Sequence, residues 1–145
     1  MTFKEIAYKS QEWEKAVRLR EKILREPLGS RFTEAELEEE KNHIQIAGFW
    51  GDELLATAVL VPEGNKMKMQ RVVVASAFQN RQMGSKMMQF CEKVALDKNA
   101  ESIFCHARDT AVNFYVKNHY EREGDYFDED GIPHLKMTKK LKQNA

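Results

Sequence analysis

Between Met67 and Lys98 the spacing of apolar residues changes from that of a strand to that of a helix. Met67 and Met69 alternate with polar neighbours, and Val72, Val73 and Val74 then run on without a break. Alternation marks a strand with one wet face, and an unbroken run marks one buried on both faces. A polar loop with Gln79, Asn80, Arg81, Gln82 and Gly84 follows. Beyond it Met83, Met87, Phe90, Cys91, Val94 and Ala95 fall three or four apart, on one face of a long helix. A helix start presents unpaired N–H groups and a positive dipole end. Glycine at that point lets a ligand approach the backbone closely. Strand, polar loop and helix start together predict a phosphate cradle.

The rest of the chain can be read around this unit. Phe3, Ile6 and Tyr8 predict an edge strand over Thr2 to Tyr8. Ser10 is placed as the N-cap of a helix from about Gln11 to Arg25, carrying Trp13, Val17, Leu19, Arg20, Ile23 and Leu24 and ended by Pro27 and Gly29. Thr33, with Glu36 three residues on, has capping-box spacing for a second helix. That helix runs through the acidic segment Glu34 to Glu40, which reads as a solvated face. Two strands follow, Ile44 to Trp50 and Leu54 to Val61, around a hairpin turn at Gly51-Asp52. Glu63-Gly64-Asn65 turns the chain into the Met67 strand. Three antiparallel strands before the polar loop exclude a doubly wound parallel sheet. After the long helix, Asn99 or Ala100 breaks the pattern. Ser102 to Ala107 reads as a buried strand parallel to the Met67 strand, joined to it by a right-handed crossover. Asp109 or Thr110 caps a short helix over Ala111 to Asn118. A strand near Tyr120 to Phe127, a turn at Asp128 to Gly131 and a last strand from Pro133 to Lys140 complete the order, ahead of a polar tail.

A length of 145 residues predicts a single domain over 1–145 with a real core. Lys+Arg and Asp+Glu balance at 23 each, so no net charge draws nucleic acid or an anionic membrane. No basic stripe with interleaved aromatics appears either. No apolar run is long enough to span a bilayer, and Lys4 and Glu5 interrupt the apolar residues at the N-terminus. A cytoplasmic protein, monomer or homodimer, is expected. Cys91 and Cys105 have no metal-type spacing and are read as buried reduced thiols, so no metal is expected.

Four segments carry a resemblance to the GNAT superfamily of N-acyltransferases. Gln79-Asn80-Arg81-Gln82-Met83-Gly84 resembles the pyrophosphate loop written Q/R-x-x-G-x-G/A, with Gln82 where the middle glycine is usual. Arg71-Val72-Val73-Val74 resembles the central strand that leads into that loop. Ala111 to Tyr120 resembles A-x-x-F-Y-x-x-x-G-F, with His119 for glycine and Tyr120 for phenylalanine. Gly131-Ile132-Pro133-His134 with Met137 resembles the C-terminal G-I-P-H-x-x-M of one subgroup, which also has the equivalent of His106-Ala107-Arg108. The order of elements matches the GNAT core over nearly the whole chain. The fold class this implies is α/β (α+β): a mixed, mostly antiparallel central sheet with a parallel splayed strand pair, flanked by about four helices.

The resemblance implies acetyl-CoA or coenzyme A as cofactor. It also implies acetyl transfer to a primary amine of a small molecule or peptide, by direct attack in a ternary complex. Such a reaction needs a held acyl donor, stabilisation of the oxyanion and a proton for the leaving thiolate. The cofactor-binding residues implied are Val72, Val73 and Val74 along the acyl slot, the loop Gln79, Asn80, Arg81, Gln82, Met83, Gly84 and Ser85, and Asn113. Tyr115 is the implied general acid, with a core tyrosine as the alternative. His106, Glu129 and His134 are candidates for a general base or acceptor contacts, and Arg25 for the acceptor pocket. A non-catalytic acyl-CoA-binding or sensor module with the same fold is the alternative function, and Gln82 in place of glycine would fit it.

Overall fold

Strands β1 (Thr2–Ile6), β2 (Ile44–Trp50), β3 (Glu53–Glu63), β4 (Lys66–Val74), β5 (Ser102–Arg108), β6 (Glu121–Glu129) and β7 (Ile132–Lys140) form one sheet in the order β1-β2-β3-β4-β5-β7-β6. These come from a computed structural model that describes residues 1–75 and 82–141. The helices are α1 (Gln11–Arg20), α2 (Glu34–Glu39), α3 (Met83–Asp97) and α4 (Val112–Lys117). Each sheet pairing is antiparallel except β4 with β5. The expected mixed sheet with one parallel pair is therefore present. Among the described residues no helix is long and apolar enough to cross a membrane.

Local signals fix the helix starts. The Ser10 side chain accepts from the Trp13 N–H, and Thr33 and Glu36 complete a reciprocal capping box. The first helix departs from expectation. It is α-helical only to Arg20, continues as a π-turn over Glu21–Arg25 and tightens to a 3₁₀ turn over Glu26–Leu28. Gly29, at φ 72°, then ends it. The first strand stops at Ile6, before the turn through Lys9, whose φ is 66°. The acidic run is not wholly a solvated face: Glu40 is fully buried, because two arginines and a tryptophan reach it.

The core has two layers on the two faces of the sheet. α3 and α4 pack on the face that carries Ile46, Leu60, Met67, Met69, Ile103, Cys105 and Met137. α1 packs through Trp13, Ala16 and Val17 on the opposite face, against Ala47 and Phe49. Among the described residues α1 packs on β2, β3 and β4 of that face. Two devices shape β4 at this point. It pairs with β5 only from Lys66 to Lys68, against Ser102 to Phe104, and beyond that the strands diverge. Against β3 it carries a bulge: Thr57 faces Val73 and Val59 faces Gln70, so Arg71 and Val72 together oppose Ala58. Arg71 takes the left-handed conformation there, with φ 52°. Bulges re-aim side chains, and a non-glycine residue in this region costs on the order of 1–3 kcal/mol.

Candidate active site

The divergence of β4 and β5 opens a cavity of about 370 Å³ that reaches both faces of the sheet. Met69, Cys105 and Tyr115 line it from the α3/α4 side. Lys68, Gln70 and His106 line it on alternate strand positions, which point to the other face. Leu24, Arg25 and Leu28 of the π and 3₁₀ turns, with Phe32, close the far wall. A wider turn than the α-helix at Glu21–Arg25 is what a π-bulge supplies, and such bulges recur at functional sites.

Six residues picked from sequence come together here: Arg25, Val72, His106, Tyr115, Glu129 and His134 all line the cavity. Tyr115 is buried and edge-on to Phe114 and Tyr120, at 5.2 and 5.4 Å between ring centroids. The Cys105 thiol is its neighbour in the core. Burial, with Cys105 adding to it, pushes the phenol well above its ordinary value, so Tyr115 keeps its proton at neutral pH. Burial pushes the Cys105 thiol up to about 12. The buried Cys91 thiol is raised further by the same cause.

The two histidines are held differently. His134 is buried, and its Nδ1 lies 2.8 Å from the Ile132 carbonyl oxygen. A carbonyl only accepts, so Nδ1 carries the proton in this bond, and in the neutral ring Nε2 is the nitrogen with the free lone pair. Pro133 fixes the backbone between the two residues and Gly131, at φ 76°, makes the preceding turn. His106 Nδ1 lies 3.0 Å from Glu129 Oε1. These residues sit on β5 and β6, with β7 between them. Phe127 packs on both rings, 5.1 Å from His106 and 6.1 Å from His134 between centroids.

A buried ion cluster, not foreseen from sequence, supports the far wall. Glu40 accepts from Arg20 twice, at 2.7 and 3.0 Å, from Trp13 Nε1 at 3.2 Å, and from Arg71 Nη1. Burial raises the Glu40 carboxyl, but the Arg20 hydrogen bonds and charge, with Arg71 and Trp13, outweigh it and hold the group below its ordinary value. Arg25 makes a bidentate pair with Glu36 at 3.0 and 2.6 Å. That pair, with the Thr33 N–H, holds the Glu36 carboxyl down at about 2. The buried Phe32 ring is the common surface: the guanidinium carbons of Arg25, Arg71 and Arg20 lie 4.1, 4.9 and 5.6 Å from its centroid. The available sequence signal was Arg71, a charge set into an apolar strand.

The other candidates lie apart from the cavity lining. Val73 is buried in the sheet, and Val74 is half-buried against the α3 layer. Asn113 is exposed on α4. Gln79, Asn80 and Arg81 lie outside the described residues. Gln82 is the N-cap residue of α3 and takes the left-handed conformation, φ 59°, which accounts for a glycine being usual there in the motif. Its side chain makes no capping bond, and the first turn contains no acidic residue. Among the described residues the first helical bond at this end is Lys86 N–H to Gln82 O, and in the first turn of a helix the N–H groups, here those of Met83, Gly84 and Ser85, have no intrahelical acceptor. A Cβ on Gly84 would lie 3.1 Å from the Phe114 ring, so here the close approach that asks for glycine is α4 packing on α3.

The acetyltransferase (GNAT) domain family matches residues 7–141. The protein YyaT of Bacillus subtilis is 30% identical over 81 residues, 56% of this chain and 55% of its own. The chain spans about half the length of the Bacillus subtilis relatives it matches in sequence. Among solved structures, an aminoglycoside 6'-N-acetyltransferase complexed with coenzyme A superposes with a TM-score of 0.83 at 17% identity, covering 100% of this chain and 99% of that one. Escherichia coli ElaA superposes with a TM-score of 0.83 at 16% identity, covering 97% of this chain and 100% of that one. These likenesses speak for the fold, and the family match extends over nearly the whole chain: the protein belongs to the GNAT acetyltransferase family.

Proposed function

We propose that this protein is an acetyl-CoA-dependent N-acetyltransferase. It moves an acetyl group to a primary amine of a small molecule or peptide, with donor and acceptor bound together. The observation that carries this reading is the passage between β4 and β5. It joins a Tyr115 side to a His106 and Arg25 side through one sheet, so two substrates can meet from opposite faces. The fold supports the cofactor in two places. The splay leaves room for an acyl chain along Val72, and the α3 start offers N–H groups of Met83, Gly84 and Ser85 toward a pyrophosphate. The similar aminoglycoside acetyltransferase was itself solved with coenzyme A.

When bound, acetyl-CoA supplies an acyl carbon activated as a thioester. Tyr115, protonated and lining the passage, donates a proton toward the departing thiolate. His134 Nε2, left as the acceptor by the Nδ1 bond to Ile132, takes the amine proton directly or through water. The His106–Glu129 pair orients a second imidazole toward the same space. Cys105 is no nucleophile at neutral pH, because burial keeps its thiol protonated; this favours direct transfer over a covalent acyl-enzyme.

The strained Gln82 favours a second reading, a non-catalytic acyl-CoA-binding module, since a residue costly in that conformation stands at the cofactor loop. Calorimetry with acetyl-CoA, followed by thiol release with a panel of amines, separates the readings. Binding together with amine-dependent thiol release is expected. Binding without release supports the module, and absence of binding overturns both.

A further inference from the structure

We infer that Arg71 seats a carboxylate of the acceptor, so that the amine acetylated belongs to an amino acid or a similar small amino-carboxylate. This rests on the transferase reading above. The Glu40 carboxylate is fully subscribed: both oxygens are taken by Arg20, Oε1 is shared with Trp13, and Oε2 is shared with Arg71. One negative charge therefore serves two guanidiniums. Arg20 is sealed in the interior, whereas Arg71 lines the cavity with 15% of its side chain exposed. Among the described residues Glu40 is the only hydrogen-bond partner of the Arg71 side chain. The rest of its five-donor fork is thus presented to the cavity.

The fork cannot readily turn away. It lies over the Phe32 ring, and the bulged, left-handed backbone at Arg71 directs it to this wall. Three nearby carboxylates are engaged elsewhere, and the fourth, Asp130, lines the cavity on the Arg25 side. Glu36 holds Arg25, Glu21 accepts from the Phe32 N–H, and Glu129 faces His106. A planar fork with one edge spent and one edge offered matches a carboxylate bidentately.

The test uses glycine, β-alanine, 4-aminobutyrate and 6-aminohexanoate, each paired with its amide, in the thiol-release assay with acetyl-CoA. The wild-type protein is expected to prefer at least one acid over its amide by about tenfold or more in kcat/KM. Arg71→Gln should abolish that preference, mainly by raising KM for the acid, while acetyl-CoA affinity measured by calorimetry stays within about twofold. Arg71→Lys keeps a charge beside Glu40 but loses the fork, so it should fold and lower the preference at least severalfold. It carries the test if Arg71→Gln does not fold. Equal use of acids and amides by the wild type, an acid preference that survives in both variants, or no turnover of any acid despite intact acetyl-CoA binding would each overturn the inference. Absence of acetyl-CoA binding would instead strike the transferase reading itself. Loss of acetyl-CoA binding only in the variants would reassign Arg71 to the cofactor.

Discussion

Glu40→Gln tests the buried cluster on which the far wall of the cavity rests. The substitution keeps shape and volume and removes one charge. Gln retains one accepting oxygen, while its NH₂ is turned toward donors that need an acceptor. Arg20 and Glu40 side chains are both fully inaccessible, and Glu40 accepts four hydrogen bonds from three residues. Arg20 would be left as a buried cation without a counter-charge, and its Nε already has no partner. Breaking a buried pair by removing one partner typically costs about 3–5 kcal/mol. The total stability of such a domain is about 5–15 kcal/mol. At about 2–4 °C per kcal/mol for a chain of this size, Tm should fall by roughly 6–20 °C. The assay is urea denaturation and calorimetry, with Glu38→Gln on the solvated face of α2 as the control, expected within about 0.5 kcal/mol of wild type. The double variant Arg20→Met/Glu40→Leu should be less destabilised than Glu40→Gln, since it leaves no fully buried charge without a partner and Arg71 keeps access to solvent. A Glu40→Gln protein within about 1 kcal/mol of wild type would refute the reasoning.

Other consequences are open to measurement. Tyr115→Phe keeps the ring packing and should retain acetyl-CoA affinity while single-turnover transfer falls by on the order of a hundredfold; an unchanged rate would leave water as the acid. The Glu36 carboxyl is depressed from 4.5 to about 2, so its pair with Arg25 stabilises the fold above the ordinary carboxylate value and loses this effect as pH falls toward 2. Urea melts of wild type and Glu36→Gln should therefore differ at about pH 5 and converge as pH drops through that window. Gly84→Leu should lower stability by about 1–3 kcal/mol in a thermal melt, because its side chain must displace the Phe114 ring.

The fold was largely legible where local chemistry decides it. The change of period after Val74, the Thr33–Glu36 box and the Gly51-Asp52 turn each appear as read. The π-turn at Glu21–Arg25 was hidden, since those residues suit an ordinary helix and only the cavity wall asks for a wider turn. Glu40 read as solvated within its acidic run, because its partners Trp13, Arg20 and Arg71 lie 27, 20 and 31 residues away. Tyr115, His106, Glu129 and His134 were singled out from sequence, and all four line the cavity. The pairing of His106 with Glu129 was not, since it depends on β7 entering between β5 and β6. Asn113 fails to reach the cavity because α4 turns it to solvent.

A crystal structure with acetyl-CoA tests the central claim most directly. The account predicts the acyl group in the gap where β4 and β5 diverge, beside Val72. It predicts the thioester sulfur within hydrogen-bonding reach of the Tyr115 hydroxyl, which lines that gap. It also predicts the pyrophosphate at the N–H groups that open α3. Cofactor bound away from this gap, with its sulfur out of reach of the Tyr115 hydroxyl, would contradict it.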